Sequence, residues 1–115
     1  MSGSAEAIGT PWLDLADILE ARRTIRGIAD ATPLVPSAHL SRLAGQPLLL
    51  KLELAQPTGA FKLRGATNAV AHLPEGTPGV ACCSTGNHGR GVAYAARARG
   101  LRAVVCMSEL APEAK

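Results

Sequence analysis

The chain has 115 residues, of which 47% are hydrophobic and 18% charged, and its formal net charge is +3. Such a composition suits a globular chain that buries one small core, one domain or parts of two, and excludes a disordered one. No apolar stretch approaches the roughly 20 residues that cross a bilayer, and the start MSGSAEAIGT has no basic-then-apolar leader pattern, so a soluble, cytoplasmic protein without a membrane partner is expected.

The basic residues fall in two groups, Arg22, Arg23 and Arg26, then Arg97, Arg99 and Arg102, which read as solvated helix faces. Trp12, Phe61 and Tyr94 are the only aromatic residues, too few to build stacking platforms beside those charges, so no nucleic-acid partner is expected. Cys82, Cys83 and Cys106 lie in apolar runs and read as buried free thiols. His39, His72 and His88 are scattered without metal-ligand spacing, and no metal is expected.

In chain order, Asp14 followed by Asp17 predicts a capped helix whose apolar positions Leu15, Ile18, Leu19, Ile25 and Ile28 carry it to about Ile28. Thr32-Pro33-Leu34 must be extended, because the residue before proline is pushed out of the helical region. Ser37 caps a second helix through Leu40 and Leu43, and Gly45 stops it. The apolar run from Leu48 to Leu54, bounded by Pro47 and Pro57, reads as a strand.

Past the Pro57-Thr58-Gly59 turn, Phe61, Ala66, Ala69, Val70 and Leu73 fit a helix closed by Pro74 and Gly76. Gly79 to Cys83 reads as a buried strand, Ser84 to Gly89 as a glycine-bearing turn, and Val92 to Ala98 as a small-residue helix stopped by Gly100. Arg102 to Met107 is the next strand, and Pro112 is placed to open a helix for which Lys115 leaves no room, so a truncated sequence is expected. Strands alternating with helices argue for an α/β architecture with parallel pairing, in which ligands bind beyond the carboxyl ends of the strands.

Two places there carry chemistry. Lys62 stands at the start of a predicted helix, where the positive end of the dipole favours a neutral amine, the form that imine formation needs. A solvated surface charge is the alternative. The turn from Ser84 to Gly89 delivers backbone N–H groups of a helix N-terminus and two hydroxyls, an anion site or an ordinary capped turn. Gly86, Gly89 and Gly91 lack the spacing of a dinucleotide or P-loop fingerprint.

Together, PTGAFKLRGATNAV from Pro57 to Val70 and STGNHGRGVAYAA from Ser84 to Ala96 resemble the lysine motif and the asparagine loop of fold-type II pyridoxal-phosphate enzymes, in their threonine/serine dehydratase and serine racemase group. The likeness runs from about Asp14 to Lys115, through the TPL segment, the KLEL strand end and the terminal AP..K. It implies the N-terminal portion of a tryptophan synthase beta-like α/β fold, with parallel sheets flanked by helices. Residues 1–74 would be part of the large domain that holds the Schiff-base lysine, and residues 75–115 the start of the small domain that carries the asparagine loop.

The resemblance further implies that pyridoxal 5'-phosphate is the cofactor, that Lys62 binds it covalently, that Phe61 packs against its ring, and that Asn87 hydrogen-bonds its phenolic oxygen. Ser84, Thr85, Gly86 and His88 would surround the carboxylate of a small amino-acid substrate. The implied reaction is dehydration and deamination of threonine or serine to a 2-keto acid and ammonia. A homo-oligomer is expected at full length, and the phosphate loop and the partner of the pyridine nitrogen would lie beyond Lys115, leaving the chain as given a fragment without efficient catalysis.

Leu63-Arg64 follows the lysine where threonine and cysteine synthases usually place aspartate, and Thr85 stands where the racemases have serine, both favouring a dehydratase. Ala60 replaces the serine that usually precedes the Phe-Lys pair, a form that resembles the hydroxyectoine-utilisation dehydratases. Met107-Ser108, where Met-Pro is usual, concerns the strand exit. A non-catalytic regulatory homologue and an unrelated α/β binding domain are the alternatives from other classes.

Overall fold

A computed structural model describes residues 12–111, so the opening before Trp12 and the helix expected at Pro112 lie outside the described residues. Helix α1, Leu15–Thr24, starts on a reciprocal capping box: the Asp14 carboxylate accepts from the Asp17 N–H at 2.9 Å, and the Asp17 carboxylate accepts from the Asp14 N–H at 3.0 Å. Each bond satisfies a donor that the helix start leaves orphaned. The helix ends four residues before the expected Ile28. Gly27 adopts a left-handed φ of 81°, and the resulting turn aims Ile25 and Ala29 inward against Leu63.

Strand β1, Leu34–Pro36, and strand β2, Leu49–Lys51, pair antiparallel, with Val35 opposite Leu50. Parallel pairing was the expectation for the whole chain, and here it fails for a visible reason. Between them, α2, Ala38–Ala44, is capped by Ser37 and closed by Gly45 at φ 66°. The chain then returns to where it left, because the Ser37 N–H donates to the Leu48 carbonyl at 3.0 Å and the Ser41 hydroxyl accepts from the Leu48 N–H at 2.9 Å. β2 therefore sets out from the end at which β1 stops. It is also shorter than expected, since Glu53–Ala55 coils into a 3-10 turn that carries the Glu53 carboxylate toward the body of the protein.

The second half is a parallel unit. Strand β3, Gly79–Cys83, helix α4, Asn87–Ala98, and strand β4, Arg102–Cys106, follow one another, with Cys83 in register with Cys106. Gly100, at φ 68°, turns the chain out of α4, and the crossover helix covers one face of the two strands. Helix α3, Lys62–Ala71, lies on α4, and Ala66, Val70, Val92 and Ala95 form the buried cluster between them, with Val80, Cys82 and Leu101 packed against it. The Arg99 guanidinium donates to the Val70 carbonyl and ties the far ends of the two helices.

Two expectations about burial are corrected. β3 is not buried: its residues alternate between half-buried and exposed, because α4 packs on one side only. The thiols divide accordingly. Cys82 is half-buried toward the helices, while Cys83 and Cys106, register partners on the other face, are exposed. No helix among the described residues is long and apolar enough to cross a membrane.

Candidate active site

The approach to Lys62 is a tight turn. The Gly59 N–H donates to the Gln56 carbonyl at 2.7 Å, Gly59 takes a left-handed φ of 70°, and Ala60 is buried. α3 then begins at Lys62 itself, without a side-chain cap from Phe61. The Lys62 Nζ stands 5.0 Å above the centre of the Phe61 ring, which is 59% exposed, so an accessible amine and an accessible aromatic face lie side by side. Lys62 lines a cavity of about 370 Å³ whose walls are the apolar sides of α3 and β3, and His88 on the first turn of α4 lines the same cavity.

The expected loop from Ser84 to Gly89 is only a loop as far as Gly86. Asn87, His88 and Gly89 already belong to α4. The Ser84 hydroxyl accepts from the Gly86 N–H at 3.2 Å and from the Gly89 N–H at 2.9 Å, so it caps the helix from within the turn. Among the described residues the Asn87 and His88 N–H groups make no hydrogen bond, which leaves them as the donors open to an anion.

The structure thus brings Lys62 and His88 to one cavity, with Phe61 beside the amine. Ser84 and Gly86 line a separate hollow of about 190 Å³ together with Arg90, Val105 and Met107. Thr85 and Asn87 are exposed and line neither.

Two features of the site escaped the sequence. The first is Gly91, whose absent side chain lets α4 approach the Lys62 backbone; a Cβ there would meet the Lys62 carbonyl carbon at 3.2 Å. The second is a polar cluster behind the lysine. Arg64 donates from Nε to one Glu53 oxygen at 2.9 Å and from Nη2 to the other at 2.7 Å. Glu53 also accepts from the Thr32 hydroxyl at 2.6 Å and from Gln56 at 3.2 Å, and the Gln56 amide bonds the Asp30 backbone in both directions at 2.9 Å. The Arg64 hydrogen bonds, outweighing partial burial, hold the Glu53 carboxyl at about 2, well below the usual 4.5. The signal available in sequence was a glutamate interrupting an apolar run and an arginine two places after the lysine.

A primary amine at a helix start beside an exposed aromatic face fits a planar cofactor that carries an aldehyde, and the open N–H donors at the start of α4 suit an anion. The parallel βαβ unit with these groups at the carboxyl end of β3 defines an α/β enzyme scaffold of the fold-type II kind. The chain belongs to the pyridoxal-phosphate dependent enzyme family, whose match runs over residues 25–115.

It is 50% identical over 105 residues to a Sinorhizobium fredii protein named "Putative threonine dehydratase", covering 90% of this chain and 32% of that protein. It is 44% identical over 105 residues to the L-threonine ammonia-lyase of Thermotoga maritima, covering 90% of this chain and 26% of that one. Among solved structures, serine racemase from Dictyostelium discoideum superimposes with a TM-score of 0.79 at 39% identity, over 86% of this chain and 33% of its own. The chain spans between a quarter and a third of the length of these relatives.

Proposed function

We propose that the protein carrying this chain removes ammonia from a hydroxy amino acid such as threonine or serine. The β-hydroxyl leaves as water, a water is returned on hydrolysis, and the products are a 2-keto acid and ammonia. The observation that carries the reading is the accessible Lys62 amine at the start of α3, beside the Phe61 ring and on one cavity with His88. Relatives named for threonine dehydration or ammonia release support it.

When bound, pyridoxal phosphate supplies a ring that withdraws electrons from the substrate Cα. Lys62 would hold that cofactor and, through Nζ, take the Cα proton. Phe61 would pack against the ring, and Asn87 would offer its amide to the phenolic oxygen. Ser84, Thr85, Gly86 and His88, with the open N–H groups at the start of α4, are the groups for a substrate carboxylate. Residues 1–74 and 75–115 would contribute to a large and a small domain, with α3 against α4 across that division, and the full-length protein would be a homo-oligomer acting on a small molecule.

Ala60 favours a second substrate within the same chemistry. Its methyl is buried in the turn before the lysine, in a form that resembles the hydroxyectoine-utilisation dehydratases. A hydroxyectoine-derived amino acid is that substrate.

The experiment is Lys62→Ala in the full-length protein. It should abolish both the visible absorbance of the bound cofactor and ammonia release from threonine, serine and the hydroxyectoine-derived amino acid. Retention of the absorbance would overturn the assignment, and the substrate from which the unaltered protein releases ammonia fastest decides between the two readings.

A further inference from the structure

The start of α3 has no capping side chain, yet it carries the reactive amine, so something else must fix it. Arg64 is the first polar side chain after Lys62 that is bonded across the fold. Its Nη2 donates to the Asp30 carbonyl at 3.0 Å and to the Thr32 hydroxyl at 3.3 Å, besides the two bonds to Glu53. At 3.6 residues per turn, positions two apart lie about 200° around a helix axis, so Arg64 grips α3 from the side away from Lys62. None of Asp30, Thr32, Glu53, Gln56 or Arg64 lines the cavity that Lys62 lines. The cluster gathers three stretches of chain, and its members Thr32 and Gln56 are only 6% and 4% exposed.

We propose that Arg64 and Glu53 are positioning residues for Lys62: their two-pronged ion pair holds the first turn of α3 so that the amine is presented at one place. This rests on the reading of Lys62 as the cofactor lysine. A planar guanidinium matched to both oxygens of a carboxylate defines direction as well as distance, which an ammonium cannot do. The pair stands outside the cavity that Lys62 lines and acts only through the backbone between Phe61 and Arg64.

The test follows, in the full-length protein, the rate at which added pyridoxal phosphate becomes fixed to Lys62 on borohydride reduction, with peptide mapping to locate the label. Arg64→Lys keeps the charge and loses the fork, and Glu53→Gln keeps the shape and loses the charge. Each should slow labelling of Lys62 about tenfold or more, as a misplaced reacting group does, and lower kcat with KM for the amino acid held within about twofold. Thr32→Val, which removes the 2.6 Å bond to Glu53 and the 3.3 Å bond from Arg64 while leaving the ion pair itself, should fold normally and slow labelling by a smaller factor.

Variants that melt earlier but label Lys62 within about twofold of the unaltered rate would reduce the pair to a fold contact and overturn the proposal; if the two ionic variants do not fold, an unchanged rate in Thr32→Val overturns it. Absence of label at Lys62 in the unaltered protein is a different outcome, which overturns the functional reading and this inference together.

Discussion

Gly91 on α4 lies against the backbone of Lys62 on α3, close enough that a Cβ built on it stands 3.2 Å from the Lys62 carbonyl carbon and 3.3 Å from the Leu63 nitrogen. Backbone cannot swing aside as a side chain does, so the helices must part by a few tenths of an ångström to admit a methyl group. Gly91→Ala is expected to destabilise the protein by about 1–3 kcal/mol, less the helix-propensity gain of alanine, and to slow cofactor attachment at Lys62. Urea denaturation and borohydride labelling check the two halves separately.

Gly89, two residues nearer the helix start, is tighter still. Its Cβ would stand 2.7 Å from the Val105 Cγ1 and 3.2 Å from the Ser84 Cβ. Gly89→Ala should cost more than Gly91→Ala, and Val105→Ala in the same chain should recover part of the loss by clearing the closer contact. Equal melting temperatures for the single and double variants would show that the clash with Ser84 dominates.

The Glu53 carboxyl titrates at about 2 in the folded protein and near 4.5 when free of its partners. A depressed folded value means that the unfolded chain takes up the proton first, so the stabilisation is complete above about pH 5 and drains away as the pH falls from 4.5 through 2. Because water screens the part-exposed pair, its size at neutral pH is about 1–3 kcal/mol. Glu53→Gln should lower stability at pH 7 and flatten its dependence on acid over that window. Parallel stability curves for the two proteins would remove Glu53 as an acid sensor.

Thr85 is exposed beside the capping Ser84, with nothing in the fold that requires its methyl group. If a hydroxyl without that methyl suffices to protonate the opposite face of Cα, Thr85→Ser should give the protein detectable racemisation of serine while leaving its stability unchanged. Chiral analysis of recovered serine reads this directly, and no D-serine above the unaltered protein would remove Thr85 as the discriminator.

What could be read from the sequence was local. The carboxylates of Asp14 and Asp17, the hydroxyl of Ser37 and the left-handed glycines at 45 and 100 act within a few residues of themselves, so the helix ends they create were foreseeable. The β3-α4-β4 order followed for the same reason. What was missed depends on meetings between distant segments. β2 turned out antiparallel because Ser37 and Ser41 catch Leu48, and the run through Leu54 breaks because Glu53 is drawn to Arg64 and Thr32. Cys83 and Cys106 are as apolar as Cys82, and only the one-sided cover of α4 separates them. The candidate site divides similarly: the motif residues were visible as types and spacing, whereas Gly91 and the Asp30-to-Arg64 cluster are defined by what they touch.

α3 belongs to two cores at once. Leu63, fully buried, seats among Ile25 and Ala29, while Ala66 and Val70 seat against Val92 and Ala95. The helix is therefore an axle gripped at two bearings, and rolling it to aim Lys62 elsewhere would unseat both sets of side chains together. The direction in which the Lys62 side chain leaves the helix is settled when the chain folds, so an arriving ligand has only the side chain itself to still and not the backbone beneath it.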